Sequence, residues 1–331
     1  MLRLGRRKIG EKRKEKIEEV ESLIKIDGKP LTKLIEVVAN GIGKWYEPLH
    51  VVRMASAEAK AEHIETIEKV KREALLSHNE DLYNHLSAVE KRLVTKESKR
   101  QQNIEQVVNR AANVLSSETE VSSETVDPDW ITRFFDIAQD ISNEQMQDLW
   151  GRILACEVKQ PGAFSLRTLE ALRNITSEEA QLFEKIACYV FHYGRCYIYN
   201  GLLEDGYEDL QYGAIICLME MGVIQSVTDA GIILKQKGEK YDHLYIFGDY
   251  VYLFSFPEYF KELRIPVYPL TLSGCELFKL TNTEPNYDYF NSVIKRVINK
   301  DTGVKVYRTK ILSIDNQGVK YDNNSLEQLD V

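Results

Sequence analysis

The chain has 331 residues, 44% hydrophobic and 28% charged, the balance of a globular protein with room for two or three structural units. Its longest apolar run, residues 34–52, contains Glu36, Lys44 and Glu47. Each would cost roughly 2.5–3.5 kcal/mol at a bilayer centre, which argues against a spanning helix. The net charge of −8 is divided unevenly: residues 1–115 carry 23 Lys/Arg against 18 Asp/Glu, a net +5, and residues 116–331 carry 20 against 33, a net −13.

Residues 1–29 form a basic arm. Arg3, Arg6, Arg7, Lys8, Lys12, Arg13, Lys14 and Lys16 face only Glu11 and Glu15 across the first sixteen positions. Such a tail is a candidate contact for the phosphates of nucleic acid or for an anionic lipid surface, and equally reads as a solvated, frayed end. No apolar h-region follows it, so no secretory signal is expected. Residues 30–54 read as an amphipathic segment: Pro30 suits a first helical position, and Leu34, Val38, Ile42 and Trp45 share one face. Gly41, Gly43 and Pro48 weaken or kink that helix.

Residues 55–115 predict long helix with almost no Gly or Pro. Leu82, Leu86, Val89 and Leu93 repeat at coiled-coil spacing, resumed by Ile104, Val108, Ala111 and Leu115. Residues 116–126 form a polar, acidic linker. Residues 127–187 then carry a dense series of helix signals. Asp127-Pro128-Asp129 opens the first helix, and Ser142 with Gln145 reads as the capping box of the second. Pro161-Gly162 breaks the second helix, Ser165 caps a third, and Thr176 with Glu179 boxes a fourth. Trp130, Phe134, Trp150, Ile153, Leu154 and Phe183 recur at helical spacing and predict a bundle core.

From residue 188 the pattern changes. Sixteen of the eighteen tyrosines lie from Tyr189 onward. Residues 210–224 read as an apolar helix ending at Met221-Gly222, and 232–234 as a short strand. Residues 241–247 and 250–256 alternate around Gly248-Asp249, a hairpin signal. That order predicts a winged-helix-like module. A strand entering a capped helix at 268–280, a helix at 287–298 and a strand pair at 304–314 and 319–321 complete the reading. The expected class is mainly α: a long coiled-coil or helical hairpin plus a helical bundle, with an α+β winged-helix-like C-terminal region over 188–331.

Motifs that carry chemistry are sparse. Glu157-Val158-Lys159 spells the acidic-x-lysine element of a metal-dependent nuclease, but that chemistry needs a strand and a second carboxylate for the metal. The residues before it have helical periodicity, so Glu157 and Lys159 are expected on a helix surface. The histidines at 50, 63, 78, 85, 192 and 243 form no HExxH or HxxxH pattern, and the cysteines at 156, 188, 196, 217 and 275 form no CxxC. They fit reduced thiols of a cytoplasmic protein, and no metal or cofactor is expected. Arg133, Arg152 and Arg167 are expected to pair with Asp136, Asp148, Glu157 or Glu170. The candidate recognition helix at 208–224 has Glu208, Asp209 and Glu220 and no Lys or Arg, which disfavours a major-groove reader; Lys235, Lys237 and Lys240 lie near the predicted wing.

The string over residues 127–183, DPDWITRFFDIAQDISNEQMQDLWGRILACEVKQPGAFSLRTLEALRNITSEEAQLF, resembles the bacterial family known as domain of unknown function 2806. GIGKWYEPLHVVRMASAEAKA (41–61) and RQQNIEQVVNRA (100–111) look like its upstream and middle parts. LTLSGCELFKL (270–280) is similar to an LTxxGxEL pattern shared with the Abi-alpha group, named for phage abortive infection. The resemblance brings no catalytic residue to any position. The residues themselves, with a coiled-coil repeat and no catalytic set, point to a non-enzymatic, oligomeric interaction protein, and the resemblance implies a component of bacterial phage defence of the abortive-infection type. The expected partners are a second copy of the chain, a protein of unknown kind, and an anionic membrane or nucleic acid at the arm. The expected location is the cytoplasm, extending to the inner face of the membrane. Two alternatives stay open: a nucleic-acid-binding regulator using the arm and the winged-helix-like module, and an enzyme with a site of unfamiliar type.

Overall fold

The computed structural model describes residues 29–41, 80–201, 206–227, 230–260, 262–298, 303–315 and 318–329. The basic arm, most of the expected amphipathic segment and the first part of the expected coiled coil lie outside the described residues. The chain divides into two compact units, residues 1–169 and 170–331.

The first unit is helical. Its described elements are α1 (Lys29–Gly41), α2 (Glu80–Leu115), α3 (Pro128–Ala138), α4 (Glu144–Lys159) and the start of α5 (Leu166–Arg173), within which the unit boundary falls. Helix starts follow local chemistry. Asp127 caps α3, its carboxylate accepting from the Asp129 and Trp130 amides at 2.7 and 3.1 Å. The second cap differs from expectation: Asn143, not Ser142, accepts from the Met146 amide at 3.1 Å, so α4 begins one residue later. Both residue types cap well, and the sequence alone does not rank them.

Helices α2 and α4 make the most extensive contact of this unit. Gly151 permits it: a Cβ there would lie 2.6 Å from Arg110 Cβ and 3.2 Å from the Val107 carbonyl. The shared core gathers Val107, Ala111, Phe134, Trp150, Ile153 and Leu154, all fully or nearly fully buried. Trp130 stacks on Phe134 at 5.1 Å between ring centroids, and Trp150 tilts against the same ring at 5.2 Å. Gly41 lies against Ile131 and Phe135, so close approach to α3 is one role of a residue expected only to weaken its helix.

The second unit opens with α6 (Ser177–Ile186), which carries the expected reciprocal capping box of Thr176 and Glu179. It then builds a curled, half-barrel antiparallel sheet from β1 (Phe191–Tyr193), β2 (Arg195–Tyr199), β3 (Gly231–Lys235), β4 (His243–Phe247), β5 (Tyr250–Ser255), β6 (Glu262–Pro269), β7 (Lys305–Asp315) and β8 (Gly318–Tyr321). Their order is β3-β6-β2-β1-β4-β5-β7-β8, and β9 (Glu327–Gln328) adds to β7. Three helices accompany the sheet: α7 (Tyr212–Glu220), α8 (Leu272–Phe278) and α9 (Tyr287–Val297).

This sheet overturns the mainly α class and the winged-helix-like reading. The described structure is about half helix and one-fifth strand, an α+β arrangement. In a wing, the strand after the helix pairs with the hairpin. Here β3 pairs only with β6 at one edge of the sheet, while the β4–β5 hairpin lies inside it, flanked by β1 and β7. The physical cause is burial on both faces. Val251, Tyr252, Leu253 and Phe254 are all buried in succession, which an exposed wing would not allow. Strands β1 and β2 are the missing elements of the sequence reading. They are short, carry His192, Arg195 and Cys196, and turn at Gly194, whose φ is +67°. The hairpin itself is as expected, with Phe247 opposite Tyr250 and Gly248 at φ +56°.

An aromatic cluster fills one face of the sheet. Phe290 of α9 stacks on Phe247 at 4.5 Å, meets Tyr252 edge-on at 4.7 Å and tilts against Phe191 at 5.5 Å. That is where the C-terminal excess of tyrosine and phenylalanine is used.

Candidate functional site

In the second unit a cleft of about 440 Å³ opens at one end of the sheet, lined by Tyr193, Lys237, Tyr241, His243 and Tyr321 among others. Its floor is a polar node. His243, buried on β4, approaches the Tyr193 hydroxyl with Nδ1 at 2.8 Å and the Lys235 carbonyl with Nε2 at 2.8 Å. A carbonyl can only accept, so Nε2 carries the proton and Nδ1 accepts from the Tyr193 O–H. Burial pushes the His243 pKa below its usual value, and the Lys235 carbonyl works against that shift. Both ring nitrogens are therefore engaged with the protein, and the neutral imidazole ties β1, β3 and β4 together.

Beside it, Asp242 is only 2% exposed. Its Oδ1 accepts from the Lys237 and Gly238 amides at 2.5 and 3.2 Å, and its Oδ2 from the Phe256 amide at 2.9 Å. Burial works to raise the Asp242 pKa; backbone bonds from Phe256, Lys237, Gly238 and Glu239 outweigh it and hold the carboxyl below its usual range. The carboxylate faces amides and not the imidazole, so the pair is no Asp–His relay for a nucleophile. The arrangement provides a rim of tyrosine rings, the Lys237 side chain and a turn tied down by the Asp242 carboxylate.

The first unit has a second cleft, of about 400 Å³, between α1 and the stretch before α3. Lys33 crosses it and donates to the Ser122 carbonyl at 2.6 Å. Burial lowers the Lys33 pKa, offset by the negative charges of Glu124, Glu157 and Glu36.

Glu157 was expected on the helix surface and is instead 1% exposed. Its carboxylate accepts from the Gly162 amide at 2.6 Å and the Phe164 amide at 3.1 Å, so it folds the turn that follows α4. The amides of the turn after the helix have no ladder partner, and a carboxylate in the helix's last turn reaches back to them. Lys159 points elsewhere, to Glu118 at 2.7 Å. Glu157 and Lys159 stand on a helix, not on the strand a nuclease core uses. Two of the acidic residues expected to pair with them have other arginine partners: Asp148 pairs with Arg110, and Glu170 with Arg173 at 3.9 Å.

Among the described residues no group of three or more His, Cys, Asp or Glu is placed to hold a metal ion, and no helix is long and apolar enough to cross a membrane. Arg3, Arg6, Arg7, Lys8, Lys12, Arg13, Lys14 and Lys16 lie outside the described residues. Lys235, Lys237 and Lys240 surround the β3–β4 connection, Lys240 lying over the Tyr241 ring at 5.1 Å. His243 and Asp242 were not singled out in the sequence; the cue available was a polar pair opening an otherwise apolar, alternating strand.

The family described as "Protein of unknown function (DUF2806)" matches residues 88–294, from within α2 to α9. The chain belongs to this family. No curated protein and no solved structure matches it. The matched stretch includes Glu157 and its turn, the Asp242–His243 node and LTLSGCEL, and leaves out residues 41–61. That last motif is structural in large part. Thr271 caps α8 through the Gly274 amide at 3.0 Å and donates to the Gly222 carbonyl at 2.7 Å, while Gly274 lies against the Val223 carbonyl with no room for a Cβ.

Proposed function

We propose that this chain is a non-enzymatic interaction protein that self-associates through α2 and acts in phage defence of the abortive-infection type. In this reading it works in the cytoplasm, and the basic arm is its contact with an anionic membrane surface or nucleic acid. The observation that carries the reading is the division of α2. Its C-terminal half buries Ile104, Val107, Val108, Ala111 and Leu115. Its N-terminal half leaves Leu86, Val89 and Leu93 only partly covered, with Val94 55% exposed. A four-three apolar repeat on a long helix is stabilised by a second helix, and another copy supplies one with matching spacing. The resemblance of LTLSGCELFKL to the Abi-alpha pattern supports the defence role.

Sedimentation of the full chain and of a Leu86→Glu, Leu93→Glu variant tests the self-association. A concentration-dependent dimer or larger species that the variant loses is the expected result. A monomeric full chain over the micromolar range sinks it. Plaque counts on cells expressing the same two proteins test the defence role: protection is expected from the parent chain and its loss from the variant.

A further inference from the structure

Three tyrosines from separate stretches of chain line the cleft of the sheet unit: Tyr193 at the end of β1, Tyr241 before β4 and Tyr321 at the end of β8. The sheet's own pairing makes room for them. Strand β1 is registered with β4 at a single pair, His192 with Ile246, and the chain then turns back at Gly194, where an added Cβ would meet nothing within 4 Å. That early turn leaves Leu244 with no registered partner in β1. Leu244 and Leu253, opposite each other on β4 and β5, add apolar surface to the cleft.

Several of its groups are already committed. Both Asp242 oxygens accept from backbone amides, and both His243 nitrogens are held by Tyr193 and the Lys235 carbonyl. The Tyr193 ring is fixed by that hydroxyl contact and by stacking on Tyr245, at 4.6 Å with planes 18° apart. Tyr307 braces Tyr241 edge-on at 5.6 Å. What remains for a ligand is the half-buried surface of three phenol rings, the two leucines and the exposed Lys237 side chain. Over residues 235–240, Lys235, Lys237 and Lys240 stand against Glu239 alone, so the local charge favours an anion. A quaternary ammonium would suit the rings but meet the lysines. A bare phosphate would suit the lysines but leave the rings without a planar partner. A nucleobase carrying a phosphate uses both, and about 440 Å³ is a volume within the range of small-ligand clefts.

We propose that this cleft binds a nucleotide unit, free or within a single strand, with the base against Tyr241 and Tyr321 and the phosphate at Lys237. The site requires neither the basic arm nor self-association through α2.

The test follows the fluorescence anisotropy of two labelled six-nucleotide DNA probes with the full chain, one of mixed sequence and one abasic with the same phosphates. The arm, whose residues 1–28 include no aromatic side chain, attracts both by charge, whereas the cleft distinguishes them. The expected result is a preference of at least about fivefold for the probe with bases, as one stacked base provides. Tyr241→Ala and Tyr321→Ala should each reduce that preference, and the double variant should abolish it. Tyr241→Phe and Tyr321→Phe keep the rings and should keep the preference. Lys237→Ala should weaken both probes alike and flatten the salt dependence. Deleting residues 2–16 should lower both affinities and leave their ratio intact. Displacement of the probe by nucleoside monophosphates would support a free nucleotide as the ligand; an intact preference without displacement would support a strand. Circular dichroism melts check that the variants fold, and if an alanine variant does not, the two probes on the parent chain and on the arm deletion decide. Equal affinity for the two probes would overturn the proposal. So would a preference that survives the folded double alanine variant, or one that disappears with the arm.

Discussion

The two units satisfy buried polar groups by different routes. In the helical unit the partners are mostly near in sequence: Asp127 and Asn143 cap the helices they precede, and Glu157 serves amides five and seven residues on. Where distance is spanned, side-chain amides do it. Asn103 of α2 donates to the Gln139 carbonyl at 2.9 Å, and Gln147 of α4 donates to the Ile141 carbonyl at 2.9 Å and to Asn103 at 3.4 Å, so the two side chains tie α2 and α4 to each other and to the α3–α4 connection. In the sheet unit Asp242 also serves nearby amides, but other buried ties are remote. The Tyr199 amide donates to the Tyr289 hydroxyl at 3.1 Å, and the His243 ring meets Tyr193. Damage to the first unit should therefore follow volume and local caps. Damage to the second should follow long-range polar ties, which pH can also break.

The largest contrast should come from Trp150, which is fully buried with its ring against Phe134. Trp150→Ala is expected to cost about 3–5 kcal/mol, since the helices cannot close around so large a void. Denaturant unfolding followed by circular dichroism measures it. A loss under about 1 kcal/mol would mean that the seam of the helical unit repacks freely.

Next comes the pair Glu157→Ala and Lys159→Ala, two positions apart on one helix. Glu157→Ala removes a charged acceptor from two backbone amides and is expected to cost about 1–3 kcal/mol. Lys159→Ala breaks only a half-exposed ion pair with Glu118 and should stay within about 0.5 kcal/mol. Equal effects of the two substitutions on the melting temperature would contradict the different burial of their side chains.

The same division explains what could be read in the sequence. Helix periodicity, the Asp127 start, the Thr176–Glu179 box and the Gly248-Asp249 turn are short-range properties, visible within a window of a few residues. The pairings of β3 with β6 and of β5 with β7 depend on residues far apart, and nothing local distinguishes them from a small wing. The burial of Glu157 is not legible, because helical spacing places it beside Lys159 at a helix end and only the returning turn encloses it. The roles of His243 and Asp242 are not legible because their partners come from other strands and from a turn.

Asp242 is the sheet unit's counterpart of Glu157, and pH separates the two units further. Its folded pKa lies below the ordinary 3.8, so its contribution to stability is present above that value and lost as pH falls through the folded one. Asp242→Asn should cost about 1–3 kcal/mol at neutral pH, where the carboxylate bonds are charge-assisted. The gap from the parent chain should close once pH drops well below 3.8. A gap of constant size from neutral to strongly acidic pH would show that the carboxylate's charge contributes nothing to the turn.

The smallest effect should come from His243. Burial lowers its folded pKa below the ordinary 6.5, so the fold favours the neutral ring, whose Nδ1 accepts from Tyr193. Above pH 6.5 both folded and unfolded chains hold the ring neutral, and nothing changes with pH on its account. Below it the unfolded chain takes up the proton first, and stability falls until the folded value is reached. The slope per histidine is at most about 1.4 kcal/mol per pH unit. His192, also lowered by burial, adds to the same window. Denaturant midpoints measured across that window should decline with acid in the parent chain and less steeply in His243→Gln. In the His192→Gln, His243→Gln double variant they should be nearly flat until carboxylates begin to titrate. A slope untouched by both substitutions would place the acid sensitivity elsewhere and remove the neutral imidazole from the ties that hold β1, β3 and β4.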